Sequence, residues 1–232
     1  MRRLVFLRIL IILPFLFGTA CQTTGTDQAA RGEAFLSSSQ LIIRSLKELS
    51  FEPCEFEKPV RFEFDEQATV FEEDGKRRLV KGFVLPKGRG SYSVSVTSYK
   101  IGTIGDPAIM YPEVRVLDKN LEVVRVLPPT SFAFRTSRNG DGLRADLFIN
   151  DDSRKDESFV LITNRSMDEA ELAVSQVNMT YSTAVTVPTG PGTFVTWMMP
   201  TGISMPPIRM KASPIGKMAV EFKAYRVKKV GE

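Results

Sequence analysis

Residues that commonly do chemistry in enzymes are few in this chain and are poorly spaced for it. The 232-residue sequence contains no histidine, which excludes histidine triads, histidine general bases and histidine metal ligands. Glu72, Glu73 and Asp74 are adjacent and precede Gly75, so they cannot flank a sugar from two sides as paired glycosidase carboxylates do. No nucleophile motif is present. The sequence therefore predicts a protein that is not an enzyme and needs no cofactor.

Three polar loops could bind a phosphate or a cation, but each is better interpreted as a turn. Residues 86–91 are rich in Gly and basic side chains, yet they lack the spacing and the GK[ST] ending of a P-loop. Residues 138–142 (RNGDG) and 150–152 (NDD) could offer oxygen ligands to calcium, but they do not match an EF-hand. Asn-Gly and Asp-Gly are strong turn formers. We predict no metal site.

Aromatic residues are the better candidates, because sugar-binding sites stack a ring on an aromatic face. Trp197 is the only tryptophan, and Tyr99 and Tyr111 are further candidates for contact with a ligand or partner. Trp197 stands beside Met198, Met199 and Pro200, so it could equally pack against the core or form an adaptable protein-binding surface. Tyr92 has the parity of a core residue.

The first 20 residues have the organisation of a signal peptide. Arg2 and Arg3 give a positive start, residues 9–17 are apolar, and small residues precede Cys21. The apolar run is short for a membrane-spanning helix. Residues 18–21 (GTAC) resemble the lipobox of bacterial lipoproteins, which implies cleavage before Cys21 and attachment of acyl chains such as palmitate to it. The alternative is an ordinary secreted protein cleaved near Ala20.

The residue after Cys21 indicates the membrane to which the protein is sorted, and the net charge limits the kinds of partner. Gln22 is not the aspartate associated with inner-membrane retention, so the resemblance implies the periplasmic face of the outer membrane in a Gram-negative bacterium. Three acyl chains would hold the protein there stably. Removal of the three leader arginines leaves 28 basic and 27 acidic side chains, which argues against nucleic-acid binding. The remaining cysteine, Cys54, is either a small core residue or the site of an intermolecular disulfide.

Most of the secondary structure that the sequence predicts is β-strand. Period-two alternation predicts strands in 78–86 and 91–98, joined as a hairpin by residues 86–91, and in 111–127, joined through Asp118-Lys119-Asn120. Further strands are predicted at 60–64, 68–71, 131–135, 144–149, 158–163 and 217–227. The pattern favours an antiparallel β-sandwich of jelly-roll-like type.

Two short helices complete the prediction. Ser37 with Gln40 and Ser166 with Glu169 form capping-box patterns before helical segments that end near residues 49 and 177. Residues 21–33 read as a lipid-anchored, flexible tether, and residues 34–232 as one domain. A Pro/Met-rich segment near 187–216 is predicted to contain no long regular element.

With these pieces in order, the chain resembles the maltose operon periplasmic protein (MalM) family. The residues concerned are Leu46, Leu49, Phe51 and Pro53, then GFVLP at 82–86, then YPEVRVLDKNLEVV at 111–124. The similarity covers roughly residues 40–185. It implies a non-catalytic accessory in maltose or maltodextrin uptake, with an oligosaccharide as a possible ligand. The alternative is a structural or assembly component of an envelope complex, such as a secretion or pilus system, in contact with a protein partner.

Overall fold

The predicted antiparallel β-sandwich is confirmed. The computed structural model describes residues 23–103, 105–137, 140–150, 156–165, 180–190, 193–202 and 210–225, and for 180–190 and 193–202 it describes the backbone. The second predicted helix, at 166–177, lies outside the described residues.

The described part has one α-helix, seventeen strands and two 3-10 turns. Their bounds in chain order are α1 Gly25–Ser38, β1 Ile42–Ile43, a 3-10 turn Leu46–Glu48, β2 Phe51–Pro53, β3 Val60–Phe64, β4 Thr69–Glu73, β5 Lys76–Val84, β6 Ser91–Tyr99, β7 Ile101–Gly102, β8 Pro107–Ile109, β9 Pro112–Leu117, β10 Val123–Val126, a 3-10 turn Pro129–Ser131, β11 Ala133–Arg135, β12 Gly142–Asn150, β13 Phe159–Asn164, β14 Thr180–Gly190, β15 Thr193–Gly202, β16 Lys211–Ala212 and β17 Gly216–Ala224.

Two sheets form the sandwich. One has the order β1-β4-β5-β13-β9-β10, with β2 added beside β5, and the other has the order β11-β12-β6-β17-β3. The apolar residues of each strand alternate into a shared core, where Phe83, Tyr92, Val94, Val160 and Phe222 have no exposed surface. The strand predicted at 217–227 is confirmed as β17, which lies between β6 and β3 in the second sheet. The core position predicted for Tyr92 is confirmed.

The predicted hairpin of β5 and β6 is wrong. β5 pairs with β4 and β13 in the first sheet, whereas β6 pairs with β12 and β17 in the second. The connection at 86–91 therefore crosses from one sheet to the other. Both strands present an apolar face to the same core, so their alternation alone did not distinguish a hairpin from an intersheet crossing.

The predicted flexible tether is also wrong in its larger part, because residues 25–38 form α1. Thr24 caps the helix, and its side chain and that of Asp27 form a reciprocal capping box. Gly25 donates its backbone N–H to the Asp106 carbonyl at 2.8 Å. A Cβ at Gly32 would lie 2.4 Å from Pro214 Cγ, so the helix approaches the body more closely than a larger residue allows. α1 belongs to the folded domain.

The predicted helix at 37–49 is replaced by β1, a 3-10 turn and the approach to β2. Ile42 and Ile43 pair in parallel with Val70 and Phe71 of β4. Leu46, Leu49 and Phe51 then pack on a second apolar cluster, Phe71, Val80, Leu117 and Leu161, on the outer face of the larger sheet. The apolar spacing correctly indicated burial, but pairing with β4 outweighs local helix propensity.

The Pro/Met-rich segment contains a long regular element, contrary to the prediction. β14 and β15 form a two-stranded antiparallel ribbon, with Val185 opposite Trp197. Pro188 and Pro200 are accommodated because each strand of a two-stranded ribbon has an outer edge that needs no ladder hydrogen bond.

A buried network of charges joins the strands of the larger sheet. Arg78 Nη1 donates to Glu113 Oε2 at 3.0 Å, and both side chains are about nine-tenths buried. Arg115 donates to the other Glu113 oxygen and, at 2.8 Å, to Glu73 Oε1. Burial alone would raise the pKa of Glu113, but the hydrogen bonds and charges of Arg115 and Arg78 outweigh it, so the pKa lies below its ordinary value.

Candidate functional site

The candidate site is a groove on the outward face of the five-stranded sheet. Every strand of that sheet contributes to it, together with the loop before β12, and its volume is about 260 Å³. We call it the outer groove, and its lining residues are Pro59, Arg61, Ser95, Thr97, Tyr99, Arg135, Thr136, Ser137, Gly140, Gly142, Arg144, Ala219, Glu221 and Lys223. A second depression, lined by Arg61, Tyr99, Lys100, Gly140 and Lys217 among others, continues it.

Small side chains form the floor of the outer groove. Strand register places Ala219 of β17 and Arg144 of β12 on either side of Thr97 of β6. Gly142 lies beside Tyr99, where a Cβ would come within 2.1 Å of the Ser98 carbonyl oxygen. Gly142 therefore allows the close approach of β12 to β6, and the short side chains of Thr97 and Ala219 form the low part of the floor.

Tyr99 contributes the aromatic ring that lines one side of the outer groove. It ends β6, and its half-buried ring lies 3.3 Å from the position that a Cβ on Gly140 would occupy. The Gly140 N–H donates to the Ser137 carbonyl at 3.1 Å. The ring therefore borders the groove beside polar Ser, Thr and Arg side chains.

Most cations around the groove have a carboxylate partner. Arg144 donates to Ser95 Oγ at 2.9 Å and to Asp146 at 3.2 Å. The other pairs are Lys223 with Glu221 at 2.7 Å, Lys217 with Glu63 at 3.3 Å and Lys100 with Asp141 at 3.4 Å. Within the described residues, Arg61 and Arg135 have no such partner.

The three aromatic candidates have different positions. Tyr99 lies in the outer groove. Tyr111 does not, because its hydroxyl donates to the Pro129 carbonyl at 3.1 Å and its ring packs on Phe132, with the Arg165 guanidinium 5.7 Å from the ring centre. Burial raises the pKa of Tyr111. Trp197 is in β15, a strand described by its backbone.

The polar loops considered above as phosphate or calcium sites use their charged side chains for contacts within the domain. Lys87 donates to the Glu157 carbonyl, and the Arg89 guanidinium lies 5.5 Å from the centre of the Phe56 ring, so residues 86–91 connect two sheets rather than enclose a phosphate. Asp141 is paired with Lys100. Residues 138–139 and 151–155 lie outside the described residues. Among those described, no cluster of three or more acidic or cysteine side chains is arranged to hold a metal.

The remaining polar candidates are part of the framework. Glu72 is paired with Arg77 at 3.5 Å and Glu73 with Arg115 at 2.8 Å, so these carboxylates stabilise the larger sheet. Cys54 is half-buried against the core, and burial raises its pKa to about 11. Cys21, the predicted lipid-attachment residue, lies outside the described residues.

Comparison with known proteins does not assign the chain to a family. No family model and no curated protein matches the chain, so the similarity to the MalM family stays a prediction. A solved structure, the pre-peptidase C-terminal domain of collagenase from Bacillus anthracis, is 6% identical over 75% of this chain and 96% of that domain, with a TM-score of 0.27. A likeness at this level carries no argument about ligand or activity. In the described residues, no helix combines the length and apolarity needed to cross a membrane.

Proposed function

We propose that the chain is a non-catalytic lipoprotein, anchored through acylated Cys21 to the periplasmic face of the outer membrane, that assists the uptake of maltodextrin or a related carbohydrate. The observation that supports ligand binding is the outer groove, where Tyr99 borders a floor of small side chains beside Ser95, Thr97 and Arg144.

This arrangement suits an oligosaccharide. A sugar ring has an apolar face that packs on an aromatic ring and hydroxyl groups that hydrogen-bond with Ser, Thr and Arg. The groove and its continuation through Tyr99 and Lys217 together extend across several strands, which is the shape needed for a chain of rings. The short side chains of Thr97 and Ala219, which lie side by side in the groove, leave room for them.

The test is a calorimetric titration of the mature protein, purified in detergent, with maltohexaose. We expect saturable heat in the unaltered protein and about tenfold weaker binding in Tyr99→Ala. A tenfold loss corresponds to about 1.4 kcal/mol, and contact with an aromatic ring contributes about 0.5–1.5 kcal/mol in addition to the apolar area that the ring covers. Tyr99→Phe is the matched control. It keeps the ring and should bind within about threefold of the unaltered protein.

Two results would count against the proposal. Binding that Tyr99→Ala leaves unchanged, with the fold intact by circular dichroism, would move the sugar away from the outer groove. Absence of heat with any oligosaccharide at millimolar concentration would contradict a carbohydrate ligand altogether.

A second candidate function is that of an assembly component in an envelope complex. The observation that favours it is β10, which ends the larger sheet and has Val123, Val124 and Val126 each 47% exposed. An apolar strand at a sheet edge is a site where a partner can add a strand of its own. A photo-reactive residue at position 124 that cross-links to one envelope protein in intact cells would support this function.

A further inference from the structure

The charges around the outer groove favour a ligand that carries negative charge over a neutral sugar. Around the groove and its continuation, four carboxylates, Glu63, Asp141, Asp146 and Glu221, each have a cation partner. Two guanidinium groups are then left over among the described residues, those of Arg61 and Arg135, and both line the groove. The site therefore has an excess of positive charge that no described carboxylate neutralises.

The positions of Arg61 and Arg135 indicate what shape of anion this positive charge could bind. Arg61 is in β3 and Arg135 is in β11, the two edge strands of the five-stranded sheet. Four interstrand spacings separate them, which corresponds to about 19 Å between their backbones. The two cations therefore stand at opposite ends of the groove, with Arg144 and the small floor residues between them.

A guanidinium group binds carboxylate, sulfate or phosphate through two parallel hydrogen bonds and holds its charge at any physiological pH. A single small anion could occupy one end only. An extended molecule with acidic groups several ångströms apart could contact both ends and still pack a ring on Tyr99.

We propose that the ligand of the outer groove is an acidic oligosaccharide, a chain of sugar rings with carboxylate or sulfate groups along its length. This inference rests on the proposed function, because it narrows the class of sugar that the same groove binds. Arg61 and Arg135 contact its acidic groups, Arg144 contacts the middle of the chain, and Tyr99 packs on a ring.

The experiment compares three probes on the mature protein in detergent: hexagalacturonate, maltohexaose of equal ring number, and sodium sulfate. We expect hexagalacturonate to bind at least about tenfold more tightly than maltohexaose, and its affinity to fall as salt rises. Arg61→Gln and Arg135→Gln should each weaken hexagalacturonate about tenfold, because a hydrogen bond between charged groups is stronger than one between neutral groups. Neither change should alter binding of maltohexaose by more than about threefold.

Arg44→Gln is the control. It removes the same charge from a side chain that is 79% exposed and pairs with Glu72 at the edge of the other sheet, so binding should not change. Equal affinity for the two oligosaccharides, or equal losses in all three arginine variants, would overturn the acidic ligand and leave the proposed function standing. Sulfate binding without either oligosaccharide would show an anion site only and overturn both. Absence of binding by all three probes would also overturn both.

Discussion

Glu113 is the carboxylate on which two buried guanidinium groups converge, and it links β9 to β5 through Arg78 and to β4 through Arg115 and Glu73. Removal of one member leaves the others buried without a counter-charge, which costs more than loss of the contact itself. The same group therefore controls both the stability of the larger sheet and part of its response to acid.

We expect Glu113→Gln to lower the free energy of unfolding by about 3 kcal/mol at pH 7, as measured by urea denaturation. Glu63→Gln is the control, because Glu63 is exposed and pairs with the exposed Lys217, and it should change stability by less than about 0.5 kcal/mol. Similar effects of the two substitutions would contradict a special role for the buried network.

The pH dependence has a definite sign. The pKa of Glu113 is lower in the folded protein than its ordinary value of 4.5, so its stabilisation is fully present above that pH and is lost as the pH falls toward the folded value. We therefore expect the difference between Glu113→Gln and the unaltered protein to be constant from pH 6 to 8 and to shrink below about pH 4.5. A difference that grows in acid would refute this.

At the scale of elements, α1 is held by a close contact with the rest of the domain that could not be predicted from its own sequence. Gly32 lies against Pro214, and the helix also contacts the body through Thr26, whose N–H and hydroxyl both donate to Asp106. These hydrogen bonds lower the pKa of Asp106. The helix has few apolar residues, so its position depends on these contacts more than on a broad apolar face.

We expect Gly32→Ala to destabilise the protein by about 1–2 kcal/mol in thermal and urea unfolding. Alanine is the better helix former by about 1 kcal/mol, but its Cβ would meet Pro214 at 2.4 Å and force the helix outward. Glu33→Ala, on the exposed side of the same helix, should be within about 0.5 kcal/mol of the unaltered protein. Stabilisation by Gly32→Ala would mean that the contact yields easily.

Strands were predictable because alternation reports burial directly, as in β6, where Tyr92, Val94 and Val96 all lie in the core. Sheet membership was not, since β5 and β6 satisfy the same alternation on opposite sides of that core. α1 escaped prediction because its cap, Thr24 with Asp27, precedes a segment with too little apolar periodicity to be recognised. In the groove, Tyr99 was a candidate by residue type, but Arg61 and Arg135 come to opposite ends of one groove only through a strand order that no local pattern contains.

At the scale of the whole molecule, the proposed lipid-attachment residue, Cys21, and the folded domain are close in sequence. Only Gln22, Thr23 and Thr24 separate Cys21 from the first residue of α1. We expect Cys21→Ser to abolish labelling by radioactive palmitate and to remove the protein from the outer-membrane fraction. Unchanged labelling and fractionation would contradict the lipoprotein assignment.

That short separation has a consequence for where the protein can work. Four residue steps span at most about 14 Å, so acylation of Cys21 would keep the start of α1, and Asp106 beside it, at the height of the lipid headgroups. A thiol-reactive dye on a cysteine introduced at position 103 should be quenched by quencher lipids in proteoliposomes more strongly than the same dye on a cysteine at position 41. Insertion of ten Gly/Ser residues after Gln22 should remove this difference in quenching between the two positions. Cys54, with its pKa raised to about 11, should react slowly with the dye. A folded domain that acylated Cys21 held this close to the lipid would not reach across the periplasm, and its ligand would have to come to the membrane.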